Sequence, residues 1–199
     1  MCNNNIVWLE EGTWSPSSGY SDYLICMYDI STGVSQKLTS APGYRSYPVI
    51  SEYAAAWYDQ RDGDSAIYMY DLVKKQEKRL SAPDSNSHLP SIYKETIVWS
   101  ERVPDGKVDL YTYNCVTQQT RRIITPSRSG NYPDIHKNRI VYSGPGWQRY
   151  LFSDIYMYDT ATDMETRIAH ADYLEVPTVG GYTIYGNDVG IPKIFKNKV

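Results

Sequence analysis

The chain has 199 residues, 20 Lys and Arg against 23 Asp and Glu, and a formal net charge of −3 at pH 7. Its basic residues do not cluster, which argues against phosphate-driven nucleic-acid binding, and no apolar run approaches the ~18 residues of a membrane-spanning helix. Twenty tyrosines beside two phenylalanines lean toward β-structure, where the ring packs on a pleated surface and the hydroxyl reaches water or a partner.

The start, Met1-Cys2-Asn3-Asn4-Asn5, has neither a basic nor an apolar leader region. The expectation is a cytoplasmic chain, or an extracytoplasmic one if it is cut from a longer exported protein. The three cysteines, Cys2, Cys26 and Cys115, form no CxxC pair and read as free thiols of a reducing compartment.

Along the chain three markers recur in fixed order. The first is Ile6-Val7-Trp8, then Ala55-Ala56-Trp57, Ile97-Val98-Trp99, Ile140-Val141-Tyr142 and Thr183-Ile184-Tyr185. The second is Ile25-Cys26-Met27-Tyr28-Asp29, repeated as Ile67-Tyr68-Met69-Tyr70-Asp71, Leu110-Tyr111-Thr112-Tyr113-Asn114 and Ile155-Tyr156-Met157-Tyr158-Asp159. Tyr28, Tyr70, Tyr113 and Tyr158 are spaced 42, 43 and 45 residues apart. The third is a proline two residues before Ile or Val: Pro48/Ile50, Pro90/Ile92, Pro133/Ile135 and Pro177/Val179. A period of about 43 residues is the signature of a repeat architecture.

Each unit reads as four short strands; in the second they fall near 46–51, 53–59, 65–72 and 76–81. Both parities carry large apolar or aromatic groups, so each strand belongs to a sheet covered on both sides. Asp62-Gly63, Asp105-Gly106, Thr32-Gly33 and Gly180-Gly181 supply turns. Small sheets covered on both faces by their neighbours make a β-propeller; a β-sandwich would not impose the period. The expected fold is all-β, a single propeller domain over 1–199 with units near 1–40, 41–82, 83–125, 126–170 and 171–199.

Trp57-Tyr58-Asp59-Gln60-Arg61-Asp62-Gly63-Asp64, followed by Ile67 to Asp71 and Arg79-Leu80-Ser81, resembles the TolB-like propeller repeat over nearly the whole chain. The resemblance implies four-stranded blades and little about activity. Its relatives include periplasmic translocation proteins, archaeal surface proteins and peptidase propellers, which share architecture rather than one chemistry.

The terminal units read as incomplete. The first starts at the Ile6-Val7-Trp8 strand without an inner strand. The last has an inner strand near 175–179, then 182–186 and 191–196. Five blades closed in one chain, four blades with an extra tail, or two chains paired through open blade edges all fit.

Two hairpins are longer than the repeat requires. From the Trp/Tyr marker to the repeated tyrosine takes 13 and 14 residues in units two and three, but 20 in the first and 16 in the fourth. The added residues bring Trp14 and Tyr20, and Trp147, Arg149 and Tyr150. Insertions on one side of such arrays mark a binding face, with Tyr44, Arg45, His88 and Tyr132 as neighbours. The competing reading is that the inserted rings cover blade edges. Val49, Ser91, Asp134 and Thr178, next to the repeated prolines, are expected to line the central channel.

No metal site or cofactor is expected. The hairpin Asp59 to Asp64 lacks calcium-loop spacing, and Asp29, Asp71 and Asp159 read as turn caps. Three scattered histidines and the lack of nucleophile, zinc or phosphate motifs leave no catalytic residue to name. The expected function is a non-catalytic scaffold for a protein or peptide, with a glycan-binding propeller as the alternative and a hydrolase behind both.

Overall fold

The computed structural model describes residues 4–15, 20–127, 130–144, 154–169, 178–179, 182–185 and 192–196. Among the described residues every regular element is a strand. The first sheet holds β1 (Asn5–Ser15), β2 (Tyr20–Asp29) and β3 (Val34–Lys37). The second holds β4 (Arg45–Ile50), β5 (Ala54–Asp59), β6 (Ala66–Asp71) and β7 (Gln76–Arg79). The third holds β8 (Asn86–Tyr93), β9 (Thr96–Arg102), β10 (Val108–Asn114) and β11 (Thr120–Ile123). The fourth holds β12 (Asn131–His136), β13 (Arg139–Ser143), β14 (Ile155–Asp159) and β15 (Met164–Ala169). The last holds β16 (Thr178–Val179), β17 (Tyr182–Tyr185) and β18 (Lys193–Lys196).

Among the described residues each sheet is an antiparallel meander in chain order, four-stranded in the three middle units and three-stranded at both ends. These are propeller blades. Each full blade sets its first strand against the preceding one: β8 packs on β4, β5 and β6, and β12 on β8 and β9. Strands five and six are therefore covered on both faces. Ala55, Trp57, Ala66 and Tyr68 enter one core with Ile25, Met27 and Ile50. Ala54, Ala56, Ile67 and Met69 enter the next with Ile97, Trp99 and Tyr113. This is why both parities of the strand sequence are apolar.

Among the described residues the first blade has no inner strand, in keeping with its sequence. The strand β4 packs on β1 and β2 as β8 packs on β5 and β6. The last blade departs from expectation. Among the described residues the strand lying against β12 and β13 is β18, and β16 (Thr178–Val179), the described part of the expected inner strand, pairs only with β17. Ile194, 3% exposed, joins Val141 and Met157 in a core, as Ile135 joins Val98 and Leu110 one blade junction earlier. The physical reason is visible in the chain: Pro192-Lys193-Ile194 repeats the Pro-x-Ile spacing of the inner strands. Among the described residues no ladder joins the first sheet to the last.

Two repeated devices hold each blade. After the third strand, Oδ1 of Asp71 accepts the Val73 and Lys74 N–H groups at 2.9 and 2.8 Å, and Oδ1 of Asn114 accepts those of Val116 and Thr117 at 2.9 Å each. Asp29 and Asp159 cap their turns similarly. On the inner strand the residue before the proline adopts a left-handed conformation, Tyr47 (φ 54°), Leu89 (φ 54°) and Tyr132 (φ 52°). At each the ladder register breaks, between Ser46 and Val49, His88 and Ser91, and Asn131 and Asp134. A bulge there turns one side chain out of the ladder.

Candidate functional site

The bulges open onto a cavity of about 390 Å³ at one mouth of the blade array. Its wall comes from inner strands β4, β8 and β12 and from the strands behind them: Tyr44, Ser46, Tyr47, Tyr58, His88, Leu89, Ser100, Arg102, Val108, Asn131 and Tyr132. Ser46, His88 and Asn131 occupy the same repeat position in successive blades, as do Tyr47, Leu89 and Tyr132. Tyr47 is 59% exposed and Tyr132 40%, so two aromatic faces stand in solvent at the rim.

An aromatic row runs across three blades toward the inserted β1–β2 hairpin. Tyr23 meets Tyr44 edge to face at 6.0 Å, and Tyr44 meets Tyr58 at 6.2 Å in the same manner. The Tyr58 ring stacks on His88, centroids 5.5 Å apart and planes 16° from parallel. Such pairs add ~0.5–1.5 kcal/mol beyond area burial and stiffen the rings they join. Burial, then the like charge of Arg102, lowers the His88 pKa below the ordinary 6.5, so its imidazole is neutral at pH 7.

Of the residues the sequence singled out, Tyr44, His88 and Tyr132 are brought together here. Arg45 is not with them, which corrects its reading as a surface neighbour. It is 0% exposed, with Nε donating to Asp59 Oδ2 at 2.9 Å and its other nitrogens to the Tyr23 and Ala41 carbonyls at 2.6 and 2.8 Å. Asp59 also accepts Trp57 Nε1 at 2.8 Å. Burial alone would raise the Asp59 pKa; the hydrogen bonds from Arg61 and Trp57 and the charge of Arg45 outweigh it and hold the carboxyl below 3.8. The next blade repeats the tie in weaker form, Ser87 Oγ donating to Glu101 at 2.8 Å. In the fourth, Gly130 takes the place of Arg45, because a Cβ there would lie 2.6 Å from the Leu110 side chain.

Trp14 and Tyr20 lie on the backbone of β1 and β2, paired with Ser21 and Ser15; their side chains, and all of Trp147, Arg149 and Tyr150, lie outside the described residues. Tyr47, Tyr58, Leu89, Arg102 and the two serines were not singled out. The position just before each repeat proline was the available signal.

The predicted channel residues meet in a second opening, about 700 Å³, lined by Val49, Ser91 and Asp134 with Asn5, Ile6, Val7, Lys193 and Ile194. Asp134 organises it. Its carboxylate accepts Ser91 Oγ at 2.7 Å, the Ile194 N–H at 2.9 Å and Lys193 Nζ at 3.4 Å. Thr178 pairs with Thr183 on β16, and its side chain lies outside the described residues. In the acidic hairpin Asp62 and Asp64 both face Arg79. Cys26 and Cys115 are unbridged, and burial pushes their thiols up to about 11 and about 12.

Searches against protein-family models and against curated proteins found no match to the sequence. Solved structures do match. TolB from Acinetobacter baumannii aligns with a TM-score of 0.56 at 14% identity, over 96% of this chain and 58% of that one. The β-propeller domain of the trilobed protease from Pyrococcus furiosus aligns at 0.65 and 13%, over 92% of this chain and 60% of that one. The acylaminoacyl peptidase of Pyrococcus horikoshii aligns at 0.64 and 14%, over 100% of this chain and 37% of that one. The fold of the blades is thus similar to that of TolB and of the trilobed protease's β-propeller domain. The chain spans less than two thirds of each of these proteins, and at such identities the likeness is one of fold.

Proposed function

We propose that the chain is a non-catalytic propeller scaffold that binds a peptide segment of a partner protein at the Tyr47–His88–Tyr132 cavity. The observation that carries this reading is the pair of exposed tyrosines at the rim of a pocket backed by a fixed aromatic row. Interfaces concentrate their binding energy in such aromatic anchors, which lose little side-chain freedom on contact. Among the described residues the cavity wall offers one imidazole and no carboxylate, which supports binding over general acid–base hydrolysis. A random peptide library displayed against the full chain tests the proposal. Peptides retained by the wild type should lose about tenfold or more in affinity on Tyr47→Ala or Tyr132→Ala; retention indifferent to both substitutions would refute it.

The second reading, a glycan-binding propeller, rests on rings and hydroxyls sharing one pocket. A glycan screen with a hit abolished by Trp14→Ala, Trp147→Ala or Tyr132→Ala would put it first. For the ring itself, we infer about five blades closed within one chain, supported by β1 and β18 lining the same opening. A dimeric mass by light scattering would instead favour closure between two chains through their blade edges.

A further inference from the structure

Three polar groups of the Tyr47–His88–Tyr132 cavity, the Arg102 guanidinium and the Ser46 and Ser100 hydroxyls, meet no side-chain partner among the described residues. Among the described residues seven arginines each face a carboxylate within 4.0 Å. Arg102 is the remaining one, and it lines this cavity; its hydrogen bond is to the Gly106 carbonyl at 3.3 Å. The hydroxyls of Ser46 and Ser100 are buried in the same wall and have no hydrogen-bond partner among the described residues. A buried hydroxyl left unpaired is costly, so two around one cavity mark a place where something polar belongs.

The charge of the wall decides what. Among the described lining residues Arg102 is the formal cation, His88 is neutral, and no carboxylate stands to balance them. A cationic ligand group would meet repulsion and no acceptor charge. A carboxylate is acceptor-only, and it would find a guanidinium fork with serine hydroxyls as further donors. Leu89, Val108, Tyr47 and Tyr132 stand within the same 390 Å³, so the ligand must present an apolar side chain within a few ångströms of its anion. The C-terminal residue of a peptide carries both on one Cα.

We propose that the cavity is a receptor for the free C-terminal carboxylate of a peptide ending in a large apolar residue, with Arg102 as the anion's partner and the Ser46 and Ser100 hydroxyls as its donors. This rests on the peptide-binding reading above, and sharpens it to one end of the chain.

The test is titration calorimetry on the full chain with three probes: N-acetyl-Gly-Leu-Phe as free acid, the same tripeptide as C-terminal amide, and N-acetyl-Glu-Leu-Phe amide. The free acid should bind about 10- to 100-fold more tightly than its amide, the range of a hydrogen bond to a charged group. That advantage should vanish in Arg102→Gln and be partly kept in Arg102→Lys. Arg102 makes no ion pair among the described residues, so an unchanged melting temperature separates lost binding from lost structure. If acid and amide bind equally and Tyr132→Ala abolishes both, the carboxylate inference falls while the peptide reading stands. If the glutamyl amide matches the free acid, the terminal assignment is overturned. If no probe binds, both fall.

Discussion

Replacing Asp59 by alanine would remove the carboxylate that holds Arg45, Arg61 and Trp57 at the junction of the first and second blades. Arg45 would keep its hydrogen bonds to the Tyr23 and Ala41 carbonyls, yet its charge, at 0% exposure, would be uncompensated. Breaking a buried pair from one side costs ~3–5 kcal/mol. For a domain of this size each kcal/mol moves the melting temperature by ~2–4 °C, so the expected loss is roughly 6–20 °C by calorimetry. Asp59→Asn, which preserves an acceptor for Trp57, should fall between wild type and alanine. The double variant Arg45→Met/Asp59→Leu removes both charges at once and should recover most of the loss, since apolar replacements of similar volume are often neutral. A shift below about 2 °C for Asp59→Ala would mean that water reaches Arg45, and the tie would have no structural weight.

Titration gives two further checks. The Asp59 carboxyl is held below 3.8 in the folded chain, so its contribution is complete above that pH and fades as pH falls through the folded value; acid unfolding should begin at higher pH in Arg45→Met than in wild type. His88 has the opposite proton preference, its folded pKa lying below 6.5. The unfolded chain then binds the proton more readily, so stability is full above pH 6.5 and declines as pH drops through 6.5 toward the folded value. Thermal melts between pH 7.5 and 5 should show a shallower decline for His88→Gln, and equal slopes would refute the assignment. At the lower opening, Asp134→Ala should speed hydrogen exchange at the Ile194 amide, which donates to Asp134 at 2.9 Å, while the amides of β5 keep their protection. Unchanged exchange at Ile194 would show that β18 is held by its apolar contacts alone.

The blades were legible because three markers repeat in phase. Strands read near 46–51, 53–59, 65–72 and 76–81 lie at Arg45–Ile50, Ala54–Asp59, Ala66–Asp71 and Gln76–Arg79. Alternation of apolar groups on both parities is a direct imprint of two-sided cover. What could not be read was set by contacts far apart in the chain. Arg45 looked like a crossing residue on the surface, since arginine is rarely buried without a partner, and its partner stands 14 residues away. The seat of β18 depended on whether Pro177 or Pro192 supplied the inner-strand marker, and both fit the spacing. Tyr47 and Leu89 escaped notice although Tyr132, in the equivalent place, did not. Their shared feature is a backbone twist of the residue before proline, which residue type does not announce.

That twist has an evolutionary corollary. A side chain held at a bulge contributes little to the ladder on either side of it, and at this position the three blades carry tyrosine, leucine and tyrosine on closely similar backbones. Most ladder partners and blade cores would be indifferent to what is placed there. The mouth of the array can therefore drift in the ligands it prefers, one blade at a time, while selection on folding asks of those three positions chiefly that the residue tolerate a left-handed backbone.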